Sequence, residues 1–277
     1  MLDGALTPIL IDGAHLLQGG ACRPASLLVR GRHIAAIATS DEDRLQLRGQ
    51  AGEVVEAGAF WVLPGLIDAH AHAYAAILRG TENSLPLELW ALYTVLYGKA
   101  LDEASLRTAI LVGAAERLRR GITGFIDHTP QVHLAEAALA AHEATGLRVG
   151  YAPFLHDLGD YDLMRLELPD ALASLRAPPP LDPARYQSRF ADIVAAARSG
   201  SGRILPLLGP NAPQRCSPAA WALWRTLRDR YDVPVHTHLL ETRAQARLGL
   251  MSMPISEMMT CAVKSYQSSG GLNRSGS

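Results

Sequence analysis

Two histidines, one residue apart, end the apolar run PGLIDAHAH, Pro64 to His72. On a β-strand, residues i and i+2 face the same side, so His70 and His72 project together. Paired neutral imidazoles are donors for a divalent ion, and a pair left without partners at the end of a buried strand costs desolvation free energy. A strand that simply enters solvent is the blander alternative, and His-x-His alone is a weak motif. A second group sharpens the metal reading: VPVHTHLLE carries His236, His238 and Glu241. Three histidines from two strands could hold an ion such as zinc, which makes water a nucleophile at neutral pH. His236 and His238 share one parity, so spacing does not choose between them. Glu241, three residues past His238, suits either of two roles. It could shuttle protons to a substrate nitrogen, or occupy the N-terminal turn of a following helix, where acids are common.

Further polar residues end other apolar runs: Asp127 with His128, His156 with Asp157, and Asn211. His128 and His156 either contact substrate or anchor loops. Trp90, in SLPLELWALY, follows the loop after the first histidine pair and could cover a pocket there, whereas Trp221 and Trp224 fit helix packing. His15, His33, His133 and His142 read as ordinary surface or core residues.

The elements that must position these residues follow a pattern. Residues 1–60 are β-prone runs broken by Gly, Pro and charged turns, with a hairpin expected around Arg30 to His33. From about residue 61 apolar strands alternate with amphipathic helices. WVLPGLIDAHAH, ITGFIDH, LRVGYAPFLHD, RILPLLGPNAP and VPVHTHLLE read as strands. Helices are expected between them, with Asp102 and Ser217 as N-caps, Pro218 at a first helical position, and Gly121 and Gly146 at C-termini. Five βα units in a row imply a parallel sheet. The fold class expected is α/β, a (β/α)8 TIM-type barrel with its site at the C-terminal ends of the strands. A whole barrel takes about 250 residues, and too little chain follows Glu241 for three more strands, so an incomplete barrel of about five units is expected. The expected division is 1–60, 61–250 and a tail at 251–277. That tail carries four of the chain's six Met and shows no period, and it reads as atypical and disordered.

A net charge of -1 over 277 residues gives no reason to expect nucleic acid or an anionic membrane as partner. No apolar run approaches the roughly 20 residues that cross a bilayer, and the N-terminus lacks the basic region of a signal peptide. Three widely spaced cysteines do not make a disulfide framework, so a cytoplasmic setting is expected.

The segments PGLIDAHAH, GITGFIDH, GPNAPQRCSP and VHTHLLET, preceded by ASLLVRGRHIAAIA, closely resemble the amidohydrolase superfamily over residues 7–249. The nearest branch contains cytosine/guanine deaminases, methylthioadenosine/adenosylhomocysteine deaminases and triazine chlorohydrolases. The resemblance implies that residues 1–60 form part of a β-sandwich. It implies metal ligation by His70, His72 and His238, which selects His238 over His236, and it gives Glu241 the role of protonating a substrate ring nitrogen. Trp90, His128, His156 and Asn211 are the expected substrate-binding residues. The implied cofactor is a divalent metal, zinc or iron, and the implied partner is a small heterocyclic substrate, with self-association left open. The implied activity is hydrolysis of a non-peptide C–N bond, foremost deamination of a nitrogen heterocycle. Asn211 stands where many deaminases of this branch have a histidine. The superfamily's strand-six His and strand-eight Asp have no counterpart, and the resemblance stops near Leu250, which suggests a truncation through a shifted reading frame. A catalytically inactive fragment and a non-catalytic ligand-binding relative are the competing expectations.

Overall fold

The computed structural model describes residues 6–159, 167, 169, 170 and 181–252, without the side chains of Val95 and residues 249–252. Most of the stretch read as a tail, residues 253–277, lies outside them. The chain divides into two compact units, residues 1–65 and 66–277.

In the first unit, β1 (Ile9–Gln18), β2 (Ala21–Arg30) and β3 (His33–Ala38) form an antiparallel meander. Arg30 pairs with His33 across the expected hairpin. Helix α1 (Asp41–Arg48) follows, capped by the Ser40 side chain, and β4 (Glu53–Glu56) and β5 (Trp61–Val62) then run parallel to β1. Leu10, Leu28, Ala38 and Leu47 make the core. Among the described residues of this unit the sheet is thus backed by a helix rather than by a second sheet. The buried Asp12 carboxylate ties the two together, accepting from Arg44 Nε at 2.6 Å, from Ser26 Oγ at 2.7 Å and from Arg48.

The second unit is built on a parallel sheet in the order β10-β8-β7-β6, with β9 also on β8. Its elements in chain order are β6 (Leu66–Ala71), α2 (Leu87–Ala100), α3 (Glu103–Arg119), β7 (Ile122–Thr129), α4 (Ala135–Thr145) and β8 (Arg148–Leu155). Then come α5 (Pro183–Ser199), β9 (Ile204–Pro206), β10 (Gly209–Pro210), α6 (Pro218–Tyr231) and α7 (Arg243–Ser252). Asp102 caps α3 by accepting from Ser105 N at 2.8 Å, and Ser217 caps α6 by accepting from Ala220 N at 3.2 Å. Each such cap is worth about 1 kcal/mol. Gly121 and Gly146, both at φ +74°, turn the chain out of α3 and α4 into the next strands, a conformation that costs a side chain but not glycine. Leu106, Ile110, Phe125, Leu139, Val149, Tyr151 and Ile193 fill the space between sheet and helices.

Three expected strands differ in detail. WVLPGLIDAHAH divides at Pro64: Trp61–Val62 pairs with β1 in the first unit, and Leu66–Ala71 opens the second sheet. Proline has no N–H to give a ladder, so the run breaks there. RILPLLGPNAP divides into β9 and β10, which bring two prolines, Pro206 and Pro210, to their ends. VPVHTHLLE makes only one bridge, Val235 with Leu208, because Pro234 again lacks a donor. The segment is still pinned, through Leu208 N to Pro234 O, His236 N to Leu208 O and His238 N to Asn211 O, at 2.8–3.1 Å. α2 was not legible as a helix, since Leu87, Leu89, Trp90, Ala91, Leu92 and Leu96 leave no clear polar stripe. At the start of β6, Leu66 and Ile67 are 59% and 75% exposed.

The Arg44 hydrogen bond, followed by opposing desolvation and the Ser26 bond, leaves the Asp12 carboxyl with a pKa lowered to about 2 from 3.8. Its stabilising contribution is therefore present above pH ~4 and is lost as pH falls through about 2, a loss of about 2 kcal/mol. Hydrogen exchange of the β1 and β2 amides should show that loss between pH 4 and 2 in the native chain. It should be absent in Asp12→Asn, and an identical pH profile in both would contradict the assignment.

Candidate metal centre

Parallel pairing places the expected residues at one end of the sheet. Ala71 of β6 is opposite Asp127 of β7, and His128 is opposite Ala152 of β8. The structure brings five imidazoles together there: His70, His72, His128, His236 and His238. Ring centroids lie 4.9 Å apart for His70 and His72, 4.9 Å for His70 and His238, 5.2 Å for His72 and His238, and 4.5 Å for His128 and His238.

Hydrogen bonds fix how these rings face. His72 Nδ1 meets the carbonyl of His128, and His238 Nδ1 meets the Asn211 carbonyl at 2.7 Å and Asn211 Oδ1 at 3.1 Å. Carbonyl oxygens only accept, so in both rings Nδ1 carries the proton and, in the neutral ring, Nε2 is bare. The two Nε2 atoms point at each other 3.3 Å apart. Two lone pairs at that distance repel unless a positive charge lies between them. The spacing is also what two donors at about 2.0–2.1 Å from one tetrahedral ion would have. His70 Nδ1 lies 2.7 Å from His236 Nε2; when His70 donates there, its own Nε2 is free as well.

The electrostatics agree. Burial, then the neighbouring His72, lowers the pKa of His238 to about 3, and burial, then His70, lowers that of His236 to about 4. His70 is shifted down by burial and by His72, and His128 well down by burial and by His238 and His236. Uncharged imidazoles at neutral pH bind a metal without first losing a proton. Among the described residues no carboxylate is hydrogen-bonded to any of the five rings. The buried Nδ1 of His128 has no partner at all. One ring nitrogen each from His70, His128 and His238 all lie within 4.8 Å of one another. The donor set and its unsatisfied nitrogens fit a divalent ion.

The other expected residues take up different places. Asn211 is buried and supports His238, with its Oδ1 also accepting from Arg215 Nη1 at 2.9 Å. Glu241 is exposed and close enough to affect the charge state of His70, and its Oε2 accepts from Gln245 Nε2 at 3.4 Å in the first turn of α7. Leu240, just before it, has φ +53°, a strained conformation for a branched side chain that turns the chain sharply between His238 and Glu241. His156 stands past β8, its ring 6.0 Å from Phe154, in a cleft shared with Tyr186 and Arg189. Trp90 is half-buried in the first turns of α2, where Glu88 accepts from Thr242 Oγ1 at 2.6 Å.

Two contributors were missed by sequence reasoning. His236 holds His70, although parity alone kept it equal to His238. His142, read as ordinary, is fully buried, and its Nε2 lies 2.9 Å from Asp127 Oδ2. Asp127 Oδ1 in turn accepts from Ala73 N at 2.9 Å, fixing the backbone next to His72. A signal existed, since His142 falls on the stripe of Ala135, Ala138 and Leu139 that α4 buries.

Imidazoles gathered at the C-terminal ends of parallel strands stand where α/β folds of this kind carry their sites. The chain belongs to the amidohydrolase family, whose model matches residues 61–247. It is 28% identical over 235 residues to 5'-deoxyadenosine deaminase of Methanothermobacter thermautotrophicus, covering 84% of this chain and 49% of that protein. It is 28% identical over 270 residues to 5-methylthioadenosine/S-adenosylhomocysteine deaminase of Moorella thermoacetica, covering 88% of this chain and 57% of that one. The chain spans about half the length of these curated relatives. Its fold is similar to triazine hydrolase from Arthobacter aurescens (TM-score 0.70, 19% identity, 92% of this chain and 58% of that one). It is also similar to an adenosine deaminase from Xanthomonas campestris with bound zinc (TM-score 0.69, 20% identity, 94% and 61%). The hydrolase lineage expected from the motifs is borne out. No helix among the described residues is long and apolar enough to cross a membrane.

Removing the carboxylate at Asp127 leaves both Ala73 N and His142 Nε2 buried without partners. Asp127→Ala should destabilise the chain by about 2–4 kcal/mol in denaturant unfolding. A loss of under about 0.5 kcal/mol, the size of an ordinary surface change, would show that this bridge does not hold the histidine loop.

Proposed function

We propose that this sequence encodes a metal-dependent amidohydrolase that deaminates a nitrogen heterocycle by hydrolysis. The observation that carries the reading is the bare pair, His72 Nε2 and His238 Nε2, aimed at each other across 3.3 Å. His70, His72 and His238 hold the ion, with zinc the first choice and iron the alternative, since imidazole nitrogens suit both. When bound, a divalent ion supplies Lewis acidity that makes water a nucleophile at neutral pH.

The chain's own groups supply the rest. His236 holds the His70 ring in place, and the His128 and Asn211 carbonyls fix the tautomers of His72 and His238. Outer hydrogen bonds of this kind hold the tautomer and orientation of ligating histidines. Glu241 is exposed beside His70 and carries protons to the ring nitrogen of the substrate. Trp90 and His156 flank the approach and contact the heterocycle. Asn211, already engaged through its Oδ1, acts on the substrate only through its amide nitrogen. The deaminase names carried by the relatives favour an aminated purine or related ring as substrate, and a cytoplasmic setting goes with such a substrate.

The test is elemental analysis of the full chain after zinc loading, followed by an ammonia assay on aminated purines, 5'-deoxyadenosine, cytosine and aminotriazines. About one zinc per chain is expected, with affinity falling at least about tenfold in His72→Ala and in His238→Ala. Ammonia release should require zinc and be lost in Glu241→Gln. A chain that retains no zinc overturns the metal reading. A zinc-loaded chain that releases no ammonia from any of these substrates overturns the deaminase reading.

A further inference from the structure

We propose that His142 is a positioning residue for the metal centre: through Asp127 it holds the chain next to His72 and keeps a negative charge buried beside the ligands. The inference rests on the reading of the histidine cluster as a metal site. His142 is not part of that cluster. Among the described residues its ring meets those of Phe125 and Tyr151, at 5.6 and 5.8 Å, and none of the five imidazoles.

The tie is made of buried groups throughout: His142, Asp127 and Ala73. Asp127 Oδ1 accepts from Ala73 N at 2.9 Å, one residue past His72, and Oδ2 lies 2.9 Å from His142 Nε2. An ionised carboxylate only accepts, so His142 donates from Nε2. Its Nδ1, which has no partner, is then left bare in the neutral ring. Packing alone does not call for this. His142 stands on the face of α4 that buries Ala135, Ala138, Leu139 and Ala141. An apolar side chain would fill the same place without a nitrogen that forfeits its hydration. What only a donor supplies there is the bond to Oδ2. Without it, the carboxylate keeps one N–H partner among the described residues, that of Ala73.

Charge reinforces the geometry. Three neutral imidazoles leave the charge of a divalent ion uncompensated. Burial, then His72, lowers the pKa of His70, and Glu241, Asp68 and Asp127 oppose that shift. Glu241 is exposed and Asp68 half-buried, whereas Asp127 is the buried carboxylate of the second unit among the described residues. A buried charge is screened least by solvent and salt. The His142 bond thus steadies the one negative charge near the cluster that water does not weaken.

The experiment compares the wild-type chain, His142→Phe, His142→Gln and His238→Ala by zinc affinity in chelator competition and by the visible absorption of the cobalt(II)-loaded protein. Phenylalanine keeps a ring against Phe125 and Tyr151 and removes the donor, and glutamine returns an N–H. His142→Phe should lose at least about tenfold in zinc affinity and show a changed cobalt spectrum. His142→Gln should recover most of both. If His238→Ala loses metal while His142→Phe keeps wild-type affinity and spectrum, His142 is a packing residue and this inference alone fails. It fails equally if His142→Gln is as impaired as His142→Phe. A wild-type chain that binds neither zinc nor cobalt overturns the metal reading as well. Should His142→Phe not fold, the Nε2–H proton resonance of His142 in the wild-type chain decides. A shift on adding zinc supports the coupling, and an unmoved resonance overturns it.

Discussion

The second unit is organised around a repulsion that only a positive charge relieves. His72 and His238 arrive from segments 166 residues apart in the chain, and each donates its Nδ1–H to a backbone carbonyl. What remains are two bare nitrogens face to face, within a group of five rings of which His70, His128, His236 and His238 are shifted toward neutrality by burial and by neighbouring rings. A proton could bridge the pair, but burial disfavours an imidazolium there. A divalent ion satisfies several lone pairs at once and needs no compensating carboxylate hydrogen-bonded to the rings.

The fold supplies rigidity on the far side of these nitrogens. Asp127 fixes Ala73 and His142 in the core, and Arg117 reaches Asp68 at 3.0 Å while its guanidinium lies over Phe125. The chain around His70 and His72 is therefore tied on both sides, at Asp68 within β6 and at Ala73 just past its end. His238 has less regular support, from one bridge at Val235 and the hydrogen bonds to Asn211. The strained Leu240 follows at once, where the chain turns to Glu241 and α7. Strain retained next to a candidate proton carrier is consistent with a functional rather than a stabilising turn.

Much of this was legible in the sequence because its signals are local. The parity of His-x-His, the caps at Asp102 and Ser217, and the alternation of apolar and amphipathic segments each depend on a few neighbouring residues. What escaped depends on partners far away in the chain. Pro64 divides one apparent strand between two units, and nothing in WVLPGLIDAHAH says which sheet Trp61 joins. α2 has no polar stripe to mark it, and Pro234 reduces VPVHTHLLE to a single bridge without moving its histidines from their common face. The tie between Asp127 and His142 was missed because His142 was read only as an ordinary surface or core residue.

The most direct test of the account is the tautomeric state of the site histidines, read by nitrogen-15 NMR of the full chain labelled at histidine, with and without zinc. The account predicts that His72 and His238 keep the Nδ1 proton in both states. On adding zinc, their Nε2 resonances should move from the range of a bare ring nitrogen to that of a coordinated one. Contradiction would be an Nε2 proton shared between His72 and His238 that zinc leaves in place. In that case the two rings are a hydrogen-bonded pair, and no metal centre is built on them.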